Sequence, residues 1–380
     1  MRIEIVGGGP AGLYLAILMK KLDPSHRVTL YERDGPDDTY GWGIVFSDQT
    51  MSYLEEADAP THQAITRSFE TWDNVDVVHR GKKVSIRGNR FSGIARVRFL
   101  NILQERCRDL GVDLHFRTNV KDIEALRSAD LLVGADGANS LVRRTYQDRF
   151  RPQLAYGRNK YIWLGTHRLF HGLTLTFRQN QDGLFTAHSY KFDGSTSTFI
   201  VECVDDAWER ARLGERSEVE VVAYLEGVFA DDLQGERLLT NNFVRWLNFL
   251  LVRNACWQDP PVVLLGDALH TAHFSIGSGT KLALEDAIAL AGCFRETSEV
   301  PRALARFEEV RKPVVDALQH AAAASLSWFE QAQTRMRLAP LALAYELMTR
   351  SDRIDREKLR RRDPAFVERY EAWCREHPEP

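Results

Sequence analysis

Cysteine is sparse in this chain and carries no pattern. Cys107, Cys203, Cys256, Cys293 and Cys374 are scattered, odd in number and include no C-x-x-C pair. That argues against a disulfide scaffold, a zinc ribbon or a thioredoxin-type motif, and fits reduced thiols. Neither sign of charge is in excess. Fifty Lys and Arg against 53 Asp and Glu leave a net charge of −3, which gives no overall attraction to nucleic acid or to an anionic membrane. No apolar run is long enough to span a bilayer. Internal repeats and low-complexity tracts are lacking as well. The chain enters its first strand at Arg2, so we expect no signal peptide and a cytoplasmic protein. What is present is 380 residues at 44% hydrophobic content, enough to bury a sizeable core and to form two domains.

The most informative segment is RIEIVGGGPAGLYLAILMKKL, a strand that runs into a glycine turn and then a helix. Gly7, Gly9 and Gly12 have the G-x-G-x-x-G spacing. Glu32 follows twenty residues after Gly12, at the end of a second strand, RVTLYE. Gly7 allows the tight turn, Gly9 lets the backbone approach a pyrophosphate, and Gly12 lets helix and strand pack closely. Pro10 and Ala11 open the helix, whose free N–H groups and positive dipole suit phosphate. Glu32 can accept from both hydroxyls of an adenosine ribose, with Arg33 beside it. Strand before, helix after and acid at the right distance together predict dinucleotide binding.

Two later segments repeat this grammar. In ADLLVGADGANSLVRR, residues 129–144, a strand ends at Asp136. In VVLLGDALHTAHFSIGSGTKLALEDA, residues 262–287, a strand ends at Gly266 and Asp267, and Gly277, Gly279 and Thr280 precede a helix. A nicotinamide enzyme with one Rossmann unit has no use for this last element. The three segments together resemble the aromatic-ring flavoprotein monooxygenases, the group containing para-hydroxybenzoate hydroxylase, over residues 1 to about 300.

That resemblance implies noncovalent FAD, with NADH or NADPH and O2 as cosubstrates and a flavin C4a-hydroperoxide as oxidant. It implies that the first motif holds the ADP part, that Asp136 lies near both nucleotides, and that Gly266 and Asp267 hold the ribityl chain and pyrophosphate. Arg96 resembles an arginine that reaches the flavin phosphates or ribityl chain; an exposed helix charge is its bland alternative. One departure is visible. The family usually has proline in the loop after the Gly-Asp motif, where this chain has Phe274. His270 and His273 stand at H-x-x-H spacing, but the glycine turn and helix explain that segment, and no metal is expected.

The expected fold is α/β: a Rossmann-like FAD-binding domain interleaved with an antiparallel-sheet substrate domain, plus a helical C-terminal region. We assign 1–72, 90–150 and 256–300 to the first, 73–89 and 151–255 to the second, and 301–380 to the third. Helices are expected at Pro10 to about Leu22, 97–110 and 216–229, and from about Arg302 to Met336 with a kink or break at Pro313. YIWLGTH, LTLTFRQ, GLFTAHSYKF and STFIVEC read as strands. Alternation puts His188 and Tyr190 on one face. With His273 they are the candidate catalytic side chains, against the alternative of packed structural residues.

Several segments, among them AYGRNKYIWLGTHRLF and the tail LMTRSDRIDREKLRRRDPAFVERYEAW, are similar to a subgroup of this family. Its members hydroxylate aromatic CoA thioesters or a tryptophan-derived indole. The tail favours the thioester members, and the expected reaction is 5-hydroxylation of salicylyl-CoA to gentisyl-CoA. Hydroxylation of 2-aminobenzoyl-CoA or of an indole, and a non-catalytic flavin-binding protein, stay open as alternatives. CoA phosphates call for Arg or Lys, and Arg158, Lys160, Arg178 and Lys191 are the candidates. The basic run Arg353 to Arg362 reads first as a solvated helix face. The chain is expected to be a monomer or homodimer.

Overall fold

The computed structural model describes residues 1–241, 244–351 and 353–377. The expected C-terminal region therefore ends, at 378–380, outside the described residues. Three sheets organise the chain. The first has the spatial order Gln258–Asp259, Val262–Leu264, Leu131–Gly134, Arg2–Val6, Arg27–Tyr31 and Asp113–His115. All its pairings are parallel except that of Gln258–Asp259 with Val262–Leu264. Ile3, Ile5, Leu131, Leu132, Val133, Val262, Val263 and Leu264 are all fully buried. This is the signature of a parallel sheet covered on both faces.

The helix Pro10–Leu22 packs on this sheet and buries every residue from Ala11 to Met19. Gly12 makes the close approach possible, because a Cβ there would stand 2.2 Å from the Gly7 carbonyl oxygen. The helix Gly279–Glu296 lies against Pro10–Leu22, and Gly266 sits between their beginnings, near the Cβ atoms of Ala11 and Ala283.

The second sheet is large and mostly antiparallel. Its order is Leu238–Leu239, Pro152–Thr166, Ser197–Cys203, Gly183–Lys191, Leu173–Asn180, Val75–His79 and Lys82–Ile86, with Leu247–Asn254 also pairing Pro152–Thr166. Its two faces differ. Ile162, Leu164, Phe185, Ala187, Phe199 and Val201 pack under the short helices between Asp205 and Leu233. The opposite parity carries Tyr161, His188, Tyr190 and Glu202. A small third sheet, Gly43–Ser47, Phe91–Ala95 and Glu70–Trp72, meets this face where Tyr190 bonds Gly43 and stacks on Trp72.

The expected helices appear at Pro10–Leu22, Arg96–Asp109 and Glu218–Val228. Pro313 does not end its helix. Val300–Glu330 runs through it without interruption, because the ring removes one N–H from a helix held by burial along its length. The strand Leu247–Asn254 was not anticipated. No helix among the described residues is long and apolar enough to cross a membrane.

Candidate functional site

The candidate nucleotide cradle is built mainly from backbone. Gly7 has φ +111°, and a Cβ there would lie 2.2 Å from the Ala135 carbonyl oxygen. The turn therefore touches the Asp136 segment directly. At Gly9 and Gly279, by contrast, a Cβ would meet no protein atom within 4 Å. Neither the helix opening at Pro10 nor the one opening at Gly279 has a side-chain cap. Two long, adjacent helices thus begin with free N–H groups over open space, an arrangement that matches a pyrophosphate. The residues fit FAD on that ground. Gly277, at φ +60°, leads into the second helix, and Thr280 is half-buried in its first turn.

Glu32 accepts from the Gly8 N–H at 2.6 Å and the Asp34 N–H at 2.9 Å. Each carboxylate oxygen keeps a second lone pair for a ribose hydroxyl. Arg33 is exposed and donates to the Tyr40 hydroxyl. Asp136 uses both of its oxygens locally, accepting from Ser140 Oγ and from the N–H groups of Leu141 and Val142. It shapes its turn rather than pointing outward.

Asp267 remains open to solvent while protein crowds it from the sides. Desolvation raises its pKa, opposed by the positive charge of Arg96. Arg96, the first residue of its helix, donates through Nε to Thr39 Oγ1 at 2.9 Å. Burial lowers its pKa, opposed by Asp267 and Tyr190. These three groups therefore form one electrostatic neighbourhood.

Behind them, His270 Nε2 lies 2.8 Å from Asp286 Oδ2, and Arg311 Nε donates to Asp286 Oδ1 at 2.8 Å. This buried set ties the loop to its helix, so His270 acts as an anchor. Arg143, almost fully buried, donates to the carbonyls of Ala138 and Ala268 and links the second and third motifs. Nothing in the local sequence marked Arg143 apart from its neighbour Arg144.

The sheet face opposite the cradle is assembled from side chains. Tyr161 stands across from Glu202, which stands across from Thr186, with His188 two residues further along. Phe274 replaces the family's usual proline and packs its ring 5.0 Å from Tyr161 and 5.3 Å from His188. Phe249 and Phe329 close around the two histidines. Burial pushes the Tyr161 hydroxyl up to about 12, helped by the Asp267 charge. Phe274, on the loop that follows Asp267, joins this face to the cradle through its contact with Tyr161.

His188 and Tyr190 share this face, but Tyr190 is committed to the fold. Its hydroxyl donates to the Gly43 carbonyl at 2.8 Å and its ring stacks on Trp72. His273 is buried, shares a hydrogen bond with Ser275 Oγ at 2.8 Å, and has its pKa pushed well below the usual 6.5 by burial, then by His188 and Arg350. Sequence reasoning did not single out Glu202, Tyr161 or Arg350.

The four basic candidates are not brought together. Lys160 and Arg178 lie on one cross-sheet row through Cys203 and Phe185, on the face turned away from His188. Arg178 is held by Asp232 in a two-point pair, and Lys191 is paired with Glu70. Lys160 donates to Asn248 Oδ1 and sits over the Trp208 ring. Arg158 is the most exposed of the four and contacts Glu330 at 3.3 Å.

Comparison with known proteins agrees with this geometry. Residues 1–322 match the FAD binding domain family. The chain is 41% identical over 390 aligned residues to a salicyloyl-CoA 5-hydroxylase from a Streptomyces species, covering all of this chain and 75% of that one. It is 35% identical to 3-hydroxy-4-methyl-anthranilyl-[aryl-carrier protein] 5-monooxygenase of Streptosporangium sibiricum, covering 93% of this chain and 95% of that one. Among solved structures, 2-methyl-3-hydroxypyridine-5-carboxylic acid oxygenase shares the fold. Its TM-score is 0.69 at 20% identity, with 91% of this chain and 95% of that chain covered. With its glycine cradle, its Gly-Asp loop, a family match over residues 1–322 and relatives aligned along nearly all of its length, the chain belongs to the FAD-binding monooxygenases.

Proposed function

We propose that this enzyme hydroxylates the ring of an aromatic acyl-CoA thioester, converting salicylyl-CoA to gentisyl-CoA with NADH or NADPH and O2. The observation that carries the reading is similarity along the whole chain, tail included, to a salicyloyl-CoA 5-hydroxylase. The second relative, whose name also places an aromatic acyl group on a carrier, supports the same substrate class. FAD, held by these residues, would supply the O2-activating and oxygen-transfer chemistry that an electron-rich ring calls for.

In this reading Gly7, Gly9, Pro10, Ala11 and Gly12 hold the ADP phosphates and Glu32 accepts from the ribose hydroxyls. Gly266, Asp267, Gly277, Gly279 and Thr280 hold the ribityl chain and pyrophosphate. Arg96 places a positive charge beside them. Phe274, Tyr161, Phe249 and Phe329 wall the ring side and exclude water from the reacting centre. His188 receives the phenol proton, which enriches the ring; the 5-position is para to that hydroxyl and is the favoured point of attack. His273 and Tyr190 position the loop and the strand around it. Arg158, exposed at the irregularity between Tyr156 and Lys160 of its strand, is the best placed of the four basic candidates for CoA phosphates.

The test is NAD(P)H oxidation stimulated by salicylyl-CoA, benzoyl-CoA and free salicylate, with product analysis. Salicylyl-CoA should give the 5-hydroxy product. Benzoyl-CoA, lacking the donating hydroxyl, should give mainly peroxide. Efficient turnover of free salicylate, with no preference for the thioester, would overturn the acyl-CoA assignment.

A further inference from the structure

Glu202 is a carboxylate in the wrong place for a structural residue. It is 2% exposed, and no described group hydrogen-bonds either of its oxygens. Leaving a carboxylate buried and unsatisfied is expensive unless it serves a charge nearby. The polar groups that face it come from four elements. His188 Nε2 lies 3.5 Å from Oε1, on the neighbouring strand, and is itself buried with no hydrogen bond to a described group. His273 Nε2 lies 4.0 Å from Oε2, on the loop between the Gly-Asp motif and its helix. Tyr161 is its register partner on the other flanking strand.

Arg350, which follows the helix Pro340–Thr349, completes the set. Its guanidinium donates to the Ser275 carbonyl at 2.7 Å and to Ser325 Oγ at 2.8 Å, and Ser275 Oγ meets Ser325 Oγ at 2.7 Å. Burial lowers the Arg350 pKa to about 10, with Glu202 opposing the shift. Arg350 lies beyond residue 322, where the match to the FAD-binding family ends. The C-terminal helices thus reach back to hold the loop that carries His273 and Phe274.

We infer that Glu202 and His188 form the proton-accepting dyad of the ring pocket, with Arg350 fixing the loop against it. His188 is the catalytic member, and Glu202 and Arg350 are positioning residues. In the step assigned to the dyad, the O–H bond of the substrate phenol breaks and an N–H bond forms on His188. The electron pair stays on the phenolate oxygen, and Glu202 offsets the charge of the imidazolium, as carboxylates do beside catalytic histidines. After hydroxylation the ring hydrogen leaves to solvent as a proton, and the proton held by His188 returns to the phenolate oxygen. Atoms and charge balance without another reagent.

The inference rests on the aromatic-hydroxylase reading but not on the thioester. It is tested on FAD-loaded protein with two chromophoric probes, 5-nitrosalicyl-CoA and free 5-nitrosalicylate, whose nitrophenolate absorbance reports the phenol proton directly. Wild-type protein should ionise a bound probe at a pH at least about one unit below that in water. E202Q and H188N should abolish the shift while retaining FAD and near-native melting, and Glu202→Asp should restore part of it. Hydroxylation by E202Q should recover as pH rises toward the probe-free phenol value, a rescue that a merely structural role would not give. A bound probe that ionises as in water, or identically in wild type and E202Q, overturns the dyad. Binding of the free acid but not the CoA probe overturns the thioester reading alone, and failure of both probes to bind overturns the dyad and the ring pocket together.

Discussion

Along the nucleotide cradle the atoms that matter are main-chain N–H groups and glycine hydrogens, supplied by a few contiguous segments. Across the sheet face they are side-chain heads from widely separated ones: Tyr161, His188, Glu202, Phe249, Phe274, Phe329 and Arg350. The cradle is fixed by φ, ψ and close approach, which tolerate one residue type. The face is fixed by packing, which tolerates several, provided buried charges stay matched. The two regions should therefore fail differently when perturbed.

The sharpest contrast lies within the cradle's own glycines. Gly7→Val should cost about 3 kcal/mol or more of stability, because it combines a positive φ with a collision against the Ala135 carbonyl. Gly279→Val meets no protein atom within 4 Å at its Cβ. It should leave apoprotein melting nearly unchanged while strongly reducing FAD retention. Equal loss of melting temperature in both variants would erase the distinction between a glycine kept for the fold and one kept for the ligand.

Carboxylates of the cradle come next. Asp267→Ala and Glu32→Ala should each weaken FAD binding by roughly tenfold to a hundredfold, the range for losing a charged hydrogen-bond acceptor. Glu32→Ala should also loosen the apoprotein, since Gly8 and Asp34 lose their acceptor. Fluorescence titration with FAD and melting of the apoproteins separate the two effects, and unchanged affinity would remove either residue from the site.

Acid should probe the sheet face. His273 has a folded pKa held below its ordinary 6.5 by burial. As pH falls below 6.5 the unfolded chain takes up a proton that the folded state refuses. Stability therefore drops on acidification, by at most about 1.4 kcal/mol per pH unit from this residue, until the folded pKa is reached. His273→Asn should flatten that slope without changing stability much above pH 7. The same acid slope in wild type and variant would show that another group drives it.

Tyr190→Phe should have the smallest effect, about 1 kcal/mol from the unmet Gly43 carbonyl. Hydroxylation should persist, measured as product formed per NAD(P)H consumed. A collapse of coupling in this variant would move Tyr190 from the frame of the site into its chemistry.

Much of the cradle was legible because each part is local. A strand, a glycine spacing and a helix start sit within a dozen residues, and Pro10–Leu22 follows the pattern of its apolar residues. Alternation also placed His188 and Tyr190 on one face correctly. It could not say that Tyr190 would spend its hydroxyl on Gly43, or that Lys160 and Arg178 would fall on the opposite face. Strand parity is visible in a sequence; the partner across the sheet is not. Of the kink or break expected at Pro313, the break does not occur, because local propensity is outweighed by burial along a long helix.

By itself, then, the sequence determined the dinucleotide fold, the flavin-type third motif and the family, because those depend on backbone conformations that only glycine and short fixed spacings allow. Only the tertiary structure decided that Glu202 lies between two histidines, that Phe274 closes on Tyr161, and that Arg350 reaches back to Ser275 from 75 residues away. Those contacts join residues with no shared spacing or motif. They exist because two sheets and a C-terminal helical layer pack together and bury a few charges in one place.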